Sequence, residues 1–504
     1  MDQNNSSKTE RIIVWIVCIL CLCLSVRTTS IWMDEGISYE VVDRSFRSMI
    51  HTVLFRGNAV TGMPLYSVLL FFWCKLTGFS EYAMRSMNFV FAALYLWGAI
   101  KLIRHFRLPF WTLLVFVVNP LFLYYMNEAR PYVGVITFGL WCIYCLCMYY
   151  AELKKRYLFL FFAWFLLGCA MHMMFVFMGV AYACMMFCLI LEHRLNIKHH
   201  LLAWLCCFPF FIPLAILYAR LVLCAPEVNV ISSNPLESIA QIIFFFAGLG
   251  GIGWSRNALR CMNLELSFRI VSGLFLFFLS SLVVLFYFLK KRLFLDAKVI
   301  MLTFCFGITM VFFVAANIVL KTRFWERHIS YLAPAVTLLL VYVCIDMLKK
   351  DNHILIRVSA VSMLALNLYS GISIMLLDYY QKDDYRGAAA AARMLNPDYI
   401  LLEGHQETFR YYGLNARRAE AISESEENIP KCINISTASQ ELLESILDKT
   451  HGHVALILCE KNEFDPLSLY NLFKRDGIPL RSFSVVLLNN TVGSASAVDG
   501  APTP

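Results

Sequence analysis

Apolar residues dominate positions 1–378 of the chain and occur in runs of about twenty residues, with short polar segments between them. A helix rises about 1.5 Å per residue, so a run of this length crosses the hydrocarbon core of a bilayer. The pattern predicts an α-helical polytopic membrane protein with about eleven transmembrane helices. The predicted spans cover residues 12–32, 84–104, 108–126, 131–151, 157–172, 173–191, 200–222, 268–289, 298–320, 330–348 and 354–377.

Two further apolar runs are too short to be counted as spans. The run Leu65–Leu76 lies in the first external loop, residues 33–83, and a crossing there would reverse the side of every later positive cluster. The run Ile239–Ile252 lies in the loop at 223–267 and is rich in Gly and Phe. We predict a re-entrant or interfacial helix for both runs. The alternative for the second run is a true span, which would need a partner span.

Clusters of Lys and Arg between the apolar runs define the orientation, because positively charged loops stay in the cytoplasm. With every cluster inside, the N-terminus is cytoplasmic and the C-terminal tail is external. The first apolar run resembles a signal peptide, but Arg27 interrupts the region of a cleavage site, so we interpret the run as the first span. The clusters are Lys101, Arg104 and Arg107; Lys154, Lys155 and Arg156; Arg194 and Lys198; Lys290, Lys291 and Arg292; and Lys349 and Lys350.

The chain changes character at about residue 379, where charge rises and the apolar runs shorten. Strands are predicted at 399–402, 454–458 and 483–488, and helices at 387–395 and 467–475. The sequence therefore predicts a membrane domain at 1–378 and a small extracytoplasmic α/β domain at 379–491. Residues 492–504 are small and polar and are expected to be disordered.

Composition excludes a soluble globular protein. The chain is 60% hydrophobic and 15% charged, whereas soluble domains average about 25% charged residues. The net charge of +8 does not indicate a nucleic-acid partner, because the basic residues stand between apolar runs. Most of the 18 cysteines lie within apolar runs, where cysteine behaves as a small hydrophobic residue. The sequence does not decide whether Cys224, Cys261, Cys432 and Cys459 form disulfide bonds.

Three charged clusters lie at the predicted outer ends of the helices. Each has a plain structural explanation: a solvated helix end or cap, a snorkelling Arg, or an anchor for anionic headgroups. Together they favour a shared site, because Arg binds phosphate bidentately and a carboxylate can act as general base on a hydroxyl. The clusters are Asp34 and Glu35; Glu128 and Arg130; and Lys321, Arg323, Arg327 and His328. We interpret His172, near the outer end of another span, as a packed or interfacial residue outside the site.

At these residues the chain resembles the GT-C superfamily of membrane glycosyltransferases. The resemblance is to the protein O-mannosyltransferase and lipid A aminoarabinose transferase group, related to glycosyltransferase family 39. The motifs are the acidic pair Asp34-Glu35; Pro64-Leu65-Tyr66 followed by Gly78, Glu81 and Arg85; YYMNEARPY at 124–132; RHISYLAP at 327–334; and DYRGAA at 384–389. Gly62-Met63 departs from the basic residue and Pro that the family often has before Pro-Leu.

This resemblance implies an inverting transferase that uses a sugar linked to polyprenyl phosphate. The implied setting is the outer face of a bacterial cytoplasmic membrane, and the acceptor is a glycan, lipid or protein of the envelope. Asp34 would deprotonate the acceptor hydroxyl, directly or through Glu35. Arg130, Arg323, Arg327 and His328 would bind the donor phosphate, and Arg85, Glu128 and Tyr132 are further site candidates. If a divalent ion is used, Asp34, Glu35 and Glu128 are its expected ligands.

The sequence leaves two other functional classes as alternatives. A ligase or polymerase that uses undecaprenyl-diphosphate glycans would share the lipid donor and the external site. A transporter or lipid flippase would favour internal repeats and charges near the bilayer midplane. The halves of the chain show no convincing repeat, and the predicted charges lie at the outer face, which counts against transport.

Overall fold

The computed structural model describes residues 7–55, 62–224, 235–255, 266–293, 296–320, 325–377, 380, 383–402, 406–418, 431–434, 452–459, 478–480 and 483–490. The chain divides into two compact units. The helical unit comprises residues 1–28 and 41–381, and the α/β unit comprises residues 29–40 and 382–504. Residues 29–40, assigned from the sequence to the membrane domain, thus pack with the C-terminal part of the chain.

Helices account for most of the described structure. They are α1 Lys8–Ser25, α2 Met33–Val42, α3 Phe46–Phe55, α4 Pro64–Thr77, α5 Glu81–Ser86, α6 Asn88–His105, α7 Leu113–Val117, α8 Pro120–Met126, α9 Tyr132–Glu152, α10 Lys155–Met171, α11 Met178–Leu191, α12 Ile197–Cys224, α13 Pro235–Phe246, α14 Phe268–Lys290, α15 Ala297–Leu320, α16 Ala333–Lys350, α17 Ile354–Leu376, α18 Tyr385–Met394 and α19 Gln406–Tyr411. Short 3-10 helices cover Phe110–Thr112, Met173–Phe177, Leu249–Gly251 and Glu326–Leu332.

Seven helical stretches of the described chain are long and apolar enough to cross a membrane. They coincide with seven of the predicted spans, so the prediction of a helical, multi-pass membrane protein is confirmed. The total of about eleven crossings and their orientation stay predictions. The stretches are Glu81–His105, Tyr132–Glu152, Met173–Leu191, Ile197–Leu221, Phe268–Lys290, Glu326–Lys350 and Ile354–Leu376.

The two short apolar runs also form helices. The first run becomes α4, and the second becomes α13 and the 3-10 helix after it. Neither is long enough to cross a bilayer by itself, as the sequence predicted.

The predicted span at 108–126 is interrupted in the structure. Its residues form one 3-10 turn and the two short helices α7 and α8. The break follows from Pro120, which lacks an N–H and therefore favours the first turn of a new helix. Asn119 caps that helix, because its Oδ1 accepts the N–H of Phe122 at 3.1 Å. The Asn119 amide also donates to Thr337 Oγ1 at 3.0 Å, which ties the break to α16.

Helix α9 is the buried centre of the helical unit and packs against the 3-10 helix Glu326–Leu332. The backbones meet at Gly139, where a Cβ would overlap the carbonyl of Tyr331. A backbone carbonyl cannot rotate away as a side chain can, so this approach requires glycine. The 3-10 segment is thereby seated directly on α9.

The α/β unit contains a six-stranded sheet in the order β2-β3-β1-β4-β6-β5. Strands β2, β3, β1 and β4 run parallel, and β6 pairs antiparallel with both β4 and β5. The core lies between the sheet and α18, which presents Ala388, Ala389 and Ala392 to Phe409 and Ile457. The strands are β1 Tyr399–Leu402, β2 Arg417–Arg418, β3 Cys432–Asn434, β4 Gly452–Cys459, β5 Ile478–Leu480 and β6 Phe483–Asn490.

The three predicted strands and the first predicted helix of this region are therefore present. The predicted helix 467–475, the tail at 492–504 and Arg323 lie outside the described residues. The thiol of Cys432 is free, and the side chains of Cys224, Cys261 and Cys459 lie outside the described part.

We predict that Gly139→Ala destabilises the helical unit, because the added Cβ pushes the Tyr331 backbone away from α9. Overpacking of this kind costs about 1–3 kcal/mol, which would lower the apparent melting temperature of the detergent-solubilised protein. Gly307→Ala is the matched control, because a Cβ there meets open space. Equal melting temperatures for both variants would contradict the prediction.

Candidate functional site

The segment Glu128-Ala129-Arg130, which we call the tip, lies in the turn between α8 and α9. The side chains of Glu128 and Arg130 are both buried. Asn88, in the first turn of α6, holds the backbone of the tip. Its Nδ2 lies 3.3 Å from the carbonyl of Tyr125, 3.1 Å from that of Met126 and 2.7 Å from that of Glu128. The Asn88 amide has two N–H donors, so the three carbonyl oxygens share them. One buried side chain therefore fixes the backbone of the tip.

Arg85 is the largest fully buried side chain of the helical unit. Its Nη1 donates to the carbonyl of Arg27 at 2.8 Å, and the N–H of Arg27 donates to Asn127 Oδ1 at 2.9 Å. Arg85 and Asn127 therefore connect the chain that follows α1 to the same tip.

The second cationic segment is the 3-10 helix Glu326–Leu332, which carries Arg327 and His328. The N–H of Trp325 donates to His328 Nδ1 at 2.9 Å, which fixes the orientation of the imidazole ring. The hydroxyl of Tyr125 donates to Glu326 Oε1 at 3.2 Å. This hydrogen bond joins the motif of residues 124–132 to the residue that directly precedes the motif of residues 327–334.

A chain of ring contacts runs between these two motifs and passes through His172. The ring centroids of Tyr125 and Tyr132 are 4.7 Å apart. Those of Tyr132 and His172 are 5.9 Å apart, and those of His172 and His328 are also 5.9 Å apart. His172 stands in an extended link between α10 and the 3-10 helix Met173–Phe177. The sequence interpretation placed this residue outside the site, because a lone His in an apolar run carries no signal of its spatial neighbours.

Two cationic groups, those of Arg130 and Arg327, are close enough to His172 to act on it electrostatically. Its Nδ1 accepts the N–H of Met174 at 3.2 Å, so Nε2 is the ring nitrogen that carries a proton.

His328 has the same arrangement, because its Nδ1 accepts a backbone N–H and its ring donor is therefore Nε2–H. Arg130, His172, Arg327 and His328, which we call the donor cluster, thus offer two guanidinium groups and two imidazole N–H donors. Such a set suits an anion with several oxygen acceptors, such as phosphate.

The acidic pair lies in the α/β unit, at the start of α2. Asp34 is nearly buried and Glu35 is fully buried. Glu35 Oε2 accepts the N–H of Trp32 at 3.2 Å, which caps the helix from its third position. Ser38 Oγ donates to the carbonyl of Asp34 at 3.3 Å. The two carboxylates thus differ in their local roles, since Glu35 shapes the start of the helix.

The structure therefore brings together Arg130, Tyr132, Arg327 and His328 and adds His172. Arg85 and Glu128 lie in the hydrogen-bonded surroundings of the same tip, and Asp34 and Glu35 lie in the other unit. Within the part of the chain that the structure describes, no group of three or more His, Cys, Asp or Glu residues is placed to hold a metal ion.

Comparison with solved structures finds chains that resemble this one. ArnT from Cupriavidus metallidurans in the apo state matches with a TM-score of 0.51 and 11% identity, over 94% of this chain and 97% of that chain. The same ArnT bound to undecaprenyl phosphate matches with a TM-score of 0.49 and 11% identity, over 95% and 98%. An oligosaccharyltransferase from Archaeoglobus fulgidus, in complex with zinc and sulfate, gives 0.45 and 12%, over 87% and 67%.

No family model and no curated protein matches the chain. The likeness to apo ArnT shows that the two chains share a fold, in agreement with the helical membrane architecture predicted from the sequence.

Proposed function

We propose that this protein is a glycosyltransferase that moves a sugar from a polyprenyl-phosphate carrier to an acceptor hydroxyl at the outer face of a bacterial cytoplasmic membrane. The N-terminus is cytoplasmic in this proposal, and the α/β unit is extracytoplasmic. The acceptor is a glycan, lipid or protein of the cell envelope. The fold, shared with an aminoarabinose transferase, supports transfer of this general kind.

The single observation that carries the proposal is the donor cluster. A sugar linked to polyprenyl phosphate is a phosphodiester with one negative charge, and its leaving group is a phosphate monoester that gains a second charge. Arg130 and Arg327 supply fixed positive charge where that charge develops. The Nε2–H groups of His172 and His328 supply hydrogen-bond donors, and Tyr132 packs against the His172 ring.

Asp34 is the proposed general base. Its carboxylate takes the proton of the acceptor hydroxyl while the acceptor oxygen bonds to the anomeric carbon. The bond from that carbon to the phosphate oxygen breaks, and polyprenyl phosphate leaves from the opposite face, with inversion. Glu35 keeps the first turn of α2 in shape, and we assign it a supporting role beside Asp34.

Arg85 and Glu128 are proposed to support the position of Arg130. Arg85 does so by its hydrogen bond to the Arg27 carbonyl, and Glu128 by its buried side chain within the tip. Arg323, outside the described residues, stays a candidate for phosphate binding because it precedes Arg327 by four residues. A divalent ion held by Asp34, Glu35 or Glu128 would supply Lewis-acid assistance to the leaving phosphate.

We predict that Asp34→Asn lowers the transfer rate by about 10²- to 10⁴-fold, the usual contribution of a general base. The measurement is transfer of radiolabelled sugar from synthetic polyprenyl-phosphate donors to envelope acceptors, with and without EDTA. Exposed Asp43→Asn is the matched control. Wild-type turnover by Asp34→Asn would remove the base assignment, and loss of transfer in EDTA would establish a metal requirement.

A diphosphate-linked glycan offered beside the monophosphate donor separates this function from a ligase or polymerase. Transfer from the diphosphate donor alone would favour that alternative. Transfer from neither donor by folded protein would direct attention to lipid transport.

We predict that Arg130→Lys and Arg327→Lys each raise the KM for the donor about tenfold to a hundredfold. Lysine keeps the charge but cannot form a bidentate pair with phosphate, and a hydrogen bond to a charged group contributes about 1.5–3 kcal/mol. Arg104→Lys, an exposed position, is the control in the same kinetic assay. A donor KM that neither site variant changes would contradict the phosphate-binding role.

A further inference from the structure

The backbone just before α2 is held by the C-terminal part of the α/β unit. The N–H of Ile31 donates to the hydroxyl of Tyr412 at 2.7 Å, between residues 381 positions apart in the sequence. Ser30 Oγ accepts the N–H of Arg386 at 3.0 Å. That N–H belongs to the first turn of α18, where backbone donors have no partner within the helix. Ser30 therefore satisfies a helix end that its own sequence neighbours cannot reach.

Helix α2 is also in direct backbone contact with α19. A Cβ on Gly36 would lie 2.8 Å from Thr408 Cα and 2.9 Å from Thr408 N, distances that Cβ atoms essentially never show. One turn further along, the rings of Tyr39 and Tyr411 meet edge to face, with centroids 4.8 Å apart. Gly36 is thus required by this approach of two backbones.

The groups that hold residues 29–40, which we call the acidic segment, are themselves fixed by the packing of the α/β unit. Phe409 and Leu414, on either side of Tyr412, are buried in the core of the α/β unit. Asp384 Oδ1 accepts the N–H of Gly387 at 2.9 Å and caps α18 next to the N–H that Ser30 accepts. A side chain placed from such packed elements is held more accurately than one on a loop alone.

We propose that the α/β unit is a positioning domain for the acidic segment, in which Gly36, Thr408 and Tyr412 orient the Asp34 carboxylate. The inference rests on the proposed function for the catalytic role of Asp34. It gives the C-terminal domain a task that sequence left open between acceptor binding and support of the external loops. Gly36 and Tyr412 are positioning residues, because they act through α2.

The first test is kinetic and uses the full-length protein. Gly36→Ala and Tyr412→Phe should lower kcat about tenfold to a hundredfold, the scale expected for a displacement near 1 Å, and leave the donor KM within about twofold. Tyr399→Phe on β1 is the matched control for Tyr412→Phe, because its hydroxyl makes no hydrogen bond within the described chain. Gly307→Ala is the control for Gly36→Ala. Unchanged kcat in both site variants, or a rise of donor KM with constant kcat, would overturn the positioning role.

The second test is amide hydrogen exchange, read by mass spectrometry on the same variants without substrate. Both site variants should speed exchange in residues 29–40 and leave residues 132–152 unchanged. Unchanged exchange at 29–40 would overturn the docking of the acidic segment. Wild-type protein that transfers no sugar would refute the proposed function, and the exchange data would then still decide the docking.

Discussion

The removal of guanidinium groups from water is the constraint on which the arrangement of the helical unit depends. A buried charge without hydrogen bonds costs several kcal/mol, so each such group needs a fixed polar partner. Arg85 meets this demand at the Arg27 carbonyl, and the backbone that carries Arg130 is held by Asn88. A continuous helix from 108 to 126 would not present that tip in the same way. The break at Pro120 and the clamp by Asn119 are part of the same solution.

Two of the hydrogen-bond donors in the donor cluster are imidazole N–H groups. In both His172 and His328, Nδ1 accepts a backbone N–H, so the ring donor is Nε2–H. In the proposed phosphate site these two groups would add directional hydrogen bonds to the fixed charges of Arg130 and Arg327.

Much of the fold could be predicted from the sequence, because membrane spans are encoded locally by runs of apolar residues. Seven predicted spans and three predicted strands have counterparts, since each depends on its own stretch of residues. The grouping of 29–40 with the C-terminal region could not be predicted, because it rests on Ser30, Ile31 and Gly36 meeting residues far along the chain. The contacts of His172 with Tyr132 and His328 could not be predicted for the same reason. Arg130 and Arg327 were chosen as candidates because charge at the outer end of an apolar helix is conspicuous, and their role stays a prediction.

The hydrogen bond from Ile31 to Tyr412 also sets an order for biosynthesis. Residues 29–40 leave the ribosome early, whereas their anchor is made 381 residues later. At typical translation rates of 5–20 residues per second this interval is roughly 20 to 80 seconds. During that time the helix with Asp34 lacks the surface that holds it, while most apolar segments are already available for insertion. The nascent chain can therefore enter the membrane long before its acidic helix is assembled, and that helix acquires its final environment only when the last domain folds.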